Sequence, residues 1–137
     1  ERSAAVMLCS LHLYPECLPI LLKMGDDKDR TVRRYLGAAL GAYGDARAVP
    51  VLRKLLRDPD SDHFIKIWAA DGLGQLGRKD GIPILIDLLR RDETQSYRGN
   101  ITTVLEQLTR QKLREDAAAW QAWWQREGQS KYGAQKK

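Results

Sequence analysis

Residues 31–58 of the chain can be laid over residues 64–91 at a constant offset of 33. Val32 then meets Ile65, Leu40-Gly41 meets Leu73-Gly74, and Gly44 meets Gly77. Further on, Val49-Pro50 meets Ile82-Pro83, Leu52 meets Leu85, and Leu55-Leu56-Arg57 meets Leu88-Leu89-Arg90. An internal period of this length marks a stacked repeat. Each unit is too thin to bury its own apolar face and is completed by its neighbours. An earlier, more worn copy places Leu18-Pro19 on Val49-Pro50 at an offset of 31, with Leu21 and Met24 on Leu52 and Leu55. A fourth, from about Ser96, lacks the proline but keeps Val104, Leu105 and Leu108 as one helical face.

Each unit reads as two helices. Apolar and small residues recur at helical spacing over 32–43, which predicts the first. Gly44 ends it, as glycine does just past a helix C-terminus. Asp45 is the candidate N-cap of the second helix, and Pro50 belongs in that helix's first turns, where no backbone donor is lost. The second helix buries Val49, Leu52, Leu55 and Leu56 and stops near Asp58-Pro59. The expected fold is all-α: a right-handed superhelix of about four helical hairpins. It forms one domain over residues 1–127, with units near 1–29, 30–62, 63–95 and 96–127, and residues 128–137 follow as a flexible basic tail. An N-terminal edge cut from a longer stack would expose Val6 and its apolar neighbours.

Composition agrees. The 137 residues suffice for a core without disulfides or metal, and 43% apolar with 30% charged residues is not the composition of a disordered chain. Of the net charge of +5, three charges sit on Lys131, Lys136 and Lys137, so the body is only weakly basic. Nucleic-acid binders carry their excess on the folded surface. No apolar run approaches a membrane span, and no segment reads as a secretory leader. The chain begins with Glu1, which reads as a processed product or a fragment of a longer protein, so its compartment stays open.

Val32-Arg33, Ala39-Leu40-Gly41, Gly44-Asp45, Arg47-Ala48-Val49-Pro50 and Leu55-Leu56 together resemble the HEAT-like repeat of the type described in phycobilisome lyases. The third unit departs from that pattern at Arg78 and Gly81. The resemblance covers about residues 3–110 and implies an armadillo-like α-solenoid whose second helices line the concave side. The segment from Asp116 through Trp120, Trp123 and Trp124 resembles one that closes many bacterial HEAT-repeat proteins, which implies a bacterial source. Its three tryptophans fall on one helix face and read as a cap over the last apolar layer.

Motifs that might carry chemistry reduce to the repeat. Gly72, Gly74 and Gly77 spell a dinucleotide fingerprint, but a helix rather than a strand precedes them. They are repeat positions, for close helix approach and a helix stop. Asp58, Asp60 and Asp62 imitate the start of a calcium loop, yet His63 and Ala69 stand where Gly and Glu are needed. Asp62 or Ser61 is instead expected to cap the next helix. His12 and His63 lack metal-ligand spacing. Cys9 and Cys17 align with packed positions and read as buried thiols, a disulfide across one hairpin being the alternative. No catalytic residue, metal or cofactor is implied.

On the concave face the resemblance places Ile20, Lys23, Val51, Lys54, Ile84, Asp87 and Arg91 outward, with Arg53 and Arg57 beside them. Apolar residues within mixed charge suit a protein partner, so the expected function is a non-catalytic protein-interaction scaffold. Two alternatives come from other classes. One is nucleic-acid binding through Arg33, Arg34, Arg53, Lys54, Arg57 and the lysine tail. The other is a fragment of a HEAT-like bilin lyase or DNA alkylation-repair glycosylase, with Trp68 and Asp71 one turn apart on a first helix.

Overall fold

Helix boundaries fall where the local chemistry can close a helix end. The computed structural model describes residues 2–133. In the middle of the chain α3 (Arg30–Tyr43) and α5 (His63–Gln75) each start on an aspartate. Asp29 accepts a hydrogen bond from the Thr31 N–H at 2.8 Å, and Asp62 from the Ile65 N–H at 2.9 Å. Each bond satisfies a donor that the helix itself leaves orphaned. Both helices are followed by a glycine in the left-handed region, Gly44 at φ 65° and Gly77 at φ 77°. After α5 the Arg78 N–H reaches back to the Leu73 carbonyl at 2.8 Å and the Gly77 N–H to that of Gly74 at 3.0 Å, which closes the C-terminus.

The second helices are α2 (Leu18–Leu22), α4 (Ala48–Arg57) and α6 (Ile82–Leu89). Each holds its proline, Pro19, Pro50 or Pro83, in the first turn, where the missing N–H costs nothing. Asp45 is not the cap of α4. That helix begins only at Ala48 with Arg47 in the cap position, and Asp45 instead accepts the Arg47 N–H at 2.9 Å in the turn before it. Asp62, not Ser61, caps α5; the Ser61 hydroxyl is buried without a partner.

The first helices α1 (Arg2–His12), α3, α5 and α7 (Arg98–Thr109) stack side by side, and α3 against α5 is the closest pair. A Cβ built on Gly72 would lie 2.5 Å from the Gly37 carbonyl oxygen, and one on Gly41 would lie 2.7 Å from the Gly72 Cα. Second helices bridge units: α4 packs on α3 and α5, and α6 on α5 and α7. Between the layers runs a continuous ladder that includes Leu36, Leu40, Leu52, Leu56, Leu73, Leu85, Leu89, Leu105 and Leu108. A fully buried leucine contributes about 2 kcal/mol by removal from water, so this ladder carries the fold. Among the described residues there is no strand.

The last layer is closed by α8 (Ala117–Trp123), capped by Asp116 on the Ala119 N–H at 2.9 Å and packed on α6. Trp120 is fully buried and donates its Nε1–H to the Arg114 carbonyl at 2.7 Å; its ring meets that of Trp123 edge-on at 5.8 Å. The chain stays helical through Trp124–Gly128 into α9 (Gln129–Tyr132), whose Tyr132 ring lies 6.3 Å from that of Trp123. The stretch 129–132, expected as flexible tail, is thus helical and packed on the tryptophan cap, while Lys136 and Lys137 lie outside the described residues. At the other end Val6 is buried rather than exposed, and it lines an apolar cavity with Cys9, Cys17, Leu21 and Met24. The apolar side chains left in water on α1 are Met7, Leu8 and Leu11.

Candidate functional site

The face built by the second helices holds the residues singled out from the sequence. Ile20, Lys23, Lys54, Arg57, Asp87 and Arg91 are exposed, whereas Val51, Arg53 and Ile84 are half-buried. Val51 sits in the joint with the preceding unit, its Cγ1 only 3.0 Å from where a Cβ on Gly25 would be. A groove of about 410 Å³ opens there, floored by Leu22, Pro50 and Val51 and flanked by Lys23 and Lys54. A second groove of about 460 Å³ lies along Arg53, Lys54, Arg57 and Pro59.

Charge on this face is ordered by aspartates at the joints. Arg53 binds the buried Asp80 through Nε at 2.8 Å and Nη2 at 3.2 Å, and Arg57 reaches the same carboxylate at 3.4 Å. Because Asp80 is only 3% exposed, Arg53 is held by the next unit's loop before any partner arrives. Lys54 pairs with Asp26 of the preceding unit. Arg91 pairs with Asp87 at 2.8 Å one turn away and lies 3.7 Å from Glu93. Arg34, on α3, donates to Asp62 at 3.0 Å and stacks its guanidinium over Phe64 at 5.1 Å. Burial alone would raise the Asp62 carboxyl, but Arg34 and the Ile65 N–H outweigh it and hold it below the usual range. Outside the lysine tail, four of the five residues named for nucleic-acid binding, Arg34, Arg53, Lys54 and Arg57, therefore already have a carboxylate. Counterion release from phosphate would have to compete with those pairs.

Trp68 and Asp71 do come together, in a groove of about 430 Å³ between α5 and α7 that Asn100, Thr103 and Gln107 complete. It lies on the first-helix side, away from Val51 and Ile84. Burial raises the Asp71 carboxyl, partly offset by a hydrogen bond from Gln75 at 3.1 Å. No nucleophile–base pair is assembled there among the lining residues. In the calcium-like stretch, Asp58 accepts the Asp60 N–H at 2.8 Å and Asp62 is spent on its cap and Arg34, so these carboxylates serve the joint. Sequence reasoning missed the pairing of Arg53 with Asp80. The recurrence of aspartate at every joint was a signal, but the pairing runs between residues 27 apart and needs the stack.

Helical hairpins stacked in one register, each second helix covering the seam to the next first helix, define the class: an all-α repeat protein of the solenoid type. The family model for HEAT repeats matches residues 1–64 and again 18–106, and the chain belongs to the HEAT repeat family. No curated protein and no solved structure matches the chain. No helix among the described residues is long and apolar enough to cross a membrane.

Proposed function

We propose that the chain is a non-catalytic scaffold that seats a protein partner on the face of its second helices. The observation that carries this reading is the groove floored by Leu22, Pro50 and Val51. It joins apolar area to Lys23 and Lys54 at a place where consecutive units meet. An apolar floor with a charged rim is how protein interfaces are built. Grooves at successive joints would read an extended or helical segment as a series of anchor points. Ile84 repeats the position of Val51 one unit on. The expectation that this face is concave belongs to the same proposal, as do kinship with the phycobilisome-lyase type of repeat and a bacterial source. These last two rest on the matches from Val32-Arg33 to Leu55-Leu56 and on the closing tryptophan segment.

The test compares the wild-type chain with Val51→Asp/Ile84→Asp and with the milder Ile84→Ser in pull-downs from source lysate. Circular dichroism checks each fold. A protein partner kept in about 0.5 M salt, where exposed charge pairs are screened, and lost in the folded variants supports the scaffold. Retention unchanged in both variants would remove the second-helix face from consideration.

A further inference from the structure

We propose that Cys9 and Cys17 form a reversible intrachain disulfide, a redox site that ties the first helix of the stack to the segment entering the second. The two sulfurs lie 2.6 Å apart, inside van der Waals contact, across the bend between α1 and α2. Both are half-buried free thiols. The bend is held from outside by the neighbouring unit, where the Tyr43 hydroxyl donates to the Tyr14 carbonyl at 2.8 Å and lies 3.3 Å from that of Cys9. Leu13 turns the chain in the left-handed region at φ 51°. The pair is therefore preorganised by backbone and packing rather than brought together by chance motion.

Reagents can reach it. Both cysteines line an apolar cavity of about 360 Å³ that opens at the N-terminal edge beside Arg2 and Ile20. Oxidation by a glutathione-type disulfide proceeds in two exchanges. One protein thiolate attacks a sulfur of the oxidant, forms a mixed disulfide and expels one glutathione. The second protein thiol then attacks the protein-side sulfur, closes the Cys9–Cys17 bond and expels the other. The two thiol protons and two electrons leave with the two reduced glutathiones. Burial pushes the Cys9 thiol up to about 11, so near neutral pH its thiolate fraction is small and the exchange through it is slow. The bond would clamp the unit that gives the fewest residues to the buried core. α1 would then be secured at its C-terminal end as well as through Val6.

The experiment incubates the whole chain with excess oxidised glutathione, alkylates it with iodoacetamide, and reads intact mass and hydrogen exchange. The expected product is a monomer lighter by two hydrogens that takes no alkyl group and reverts with dithiothreitol. Its α1 amides exchange about tenfold more slowly than in the reduced chain. Cys17→Ser, checked for helicity, should stop at a glutathione adduct on Cys9 and gain no protection. Two alkylated thiols after oxidation, an accumulating mixed disulfide in the wild type, chain-to-chain dimers, or α1 exchange that ignores the oxidation state would each overturn the proposal.

Discussion

The seam between α3 and α5 and the seam between α5 and α7 are built from the same repeat register, yet they are packed very differently. The register position that carries Gly72 in the third unit is Leu8 in the first, Ala39 in the second and Leu105 in the fourth, and at Gly72 it faces the preceding first helix. Where it is Gly72, two backbones come into contact with Gly37 and Gly41. Between α5 and α7 the contact instead runs through the side chains of Val104 and Leu108, and the groove of Trp68, Asp71 and Asn100 opens between the helices. Leu8, on the first helix of the described residues, is 56% exposed, against 0% for Ala39. Glycines thus let the inner pair of backbones touch, whereas side chains stand between the outer pair. The inner units are also better finished at their ends. They have Asp29 and Asp62 as caps and Gly44 and Gly77 as stops, whereas α7 starts on Tyr97 without a side-chain cap and ends on Arg110 at φ 60°.

The largest effect should come from forcing the inner seam to resemble the outer one. In Gly72→Val the new Cβ would sit 2.5 Å from a backbone oxygen and about 3 Å from both Leu52 methyls, and backbone cannot step aside as a side-chain tip can. A loss of about 3 kcal/mol is expected in urea unfolding. Gly99→Ala in α7 meets nothing nearer than 3.9 Å and should gain about 0.5 kcal/mol from helix propensity. Equal and small effects at the two sites would mean that the α3–α5 approach is looser than described.

Asp62 gives the next effect, because it joins the inner units in two ways. It caps α5 and accepts from Arg34 of α3. Asp62→Ala should cost about 1–2 kcal/mol near neutral pH. The sign of its pH dependence follows from its lowered folded-state pKa. The stabilisation is present above the unfolded-state value of about 3.9 and is lost as pH falls through the lower folded value. The wild-type advantage over Asp62→Ala should therefore be constant from pH 7 to about 5 and shrink below about 4. An advantage that stays flat down to acid unfolding would place the whole effect outside the carboxylate's charge.

What could be read in the chain, and what could not, follows the same division. The offset of 33 located the paired helices, their prolines and their terminal glycines, because those features are local and periodic. The tryptophans of α8 announced a cap by their spacing alone, and Trp120 and Trp123 are buried. The pairing of Arg53 with Asp80 and the reach of Tyr43 to the Tyr14 carbonyl depend on how units turn against one another. Periodicity does not encode that rotation. Asp45 was misplaced because an aspartate after a helix-ending glycine suits a turn as well as a cap, and here the turn takes it.

The smallest effect tests whether the outer units are worn or merely different. Gly44, Gly77 and Arg110 occupy one register position after the first helix, and Leu13 occupies it in the first unit. All four backbones are left-handed, at φ 65°, 77°, 60° and 51°. A side chain in that region costs about 1 kcal/mol relative to glycine. Arg110→Gly should therefore gain about 1 kcal/mol. That raises the unfolding midpoint by about 4 °C, since Arg110 is exposed and its side chain takes part in no cap. Gly44→Ala should lose a similar amount, although nothing lies within 4 Å of its new methyl, so the loss would be conformational and not steric. Leu13→Gly separates two contributions in the first unit. It relieves the same backbone but frees the bend that holds Cys9 against Cys17. A gain matching that at Arg110 would show that packing from Tyr43 alone keeps the bend. A gain well below it would show that the side chain of Leu13 helps to hold the first unit onto the stack.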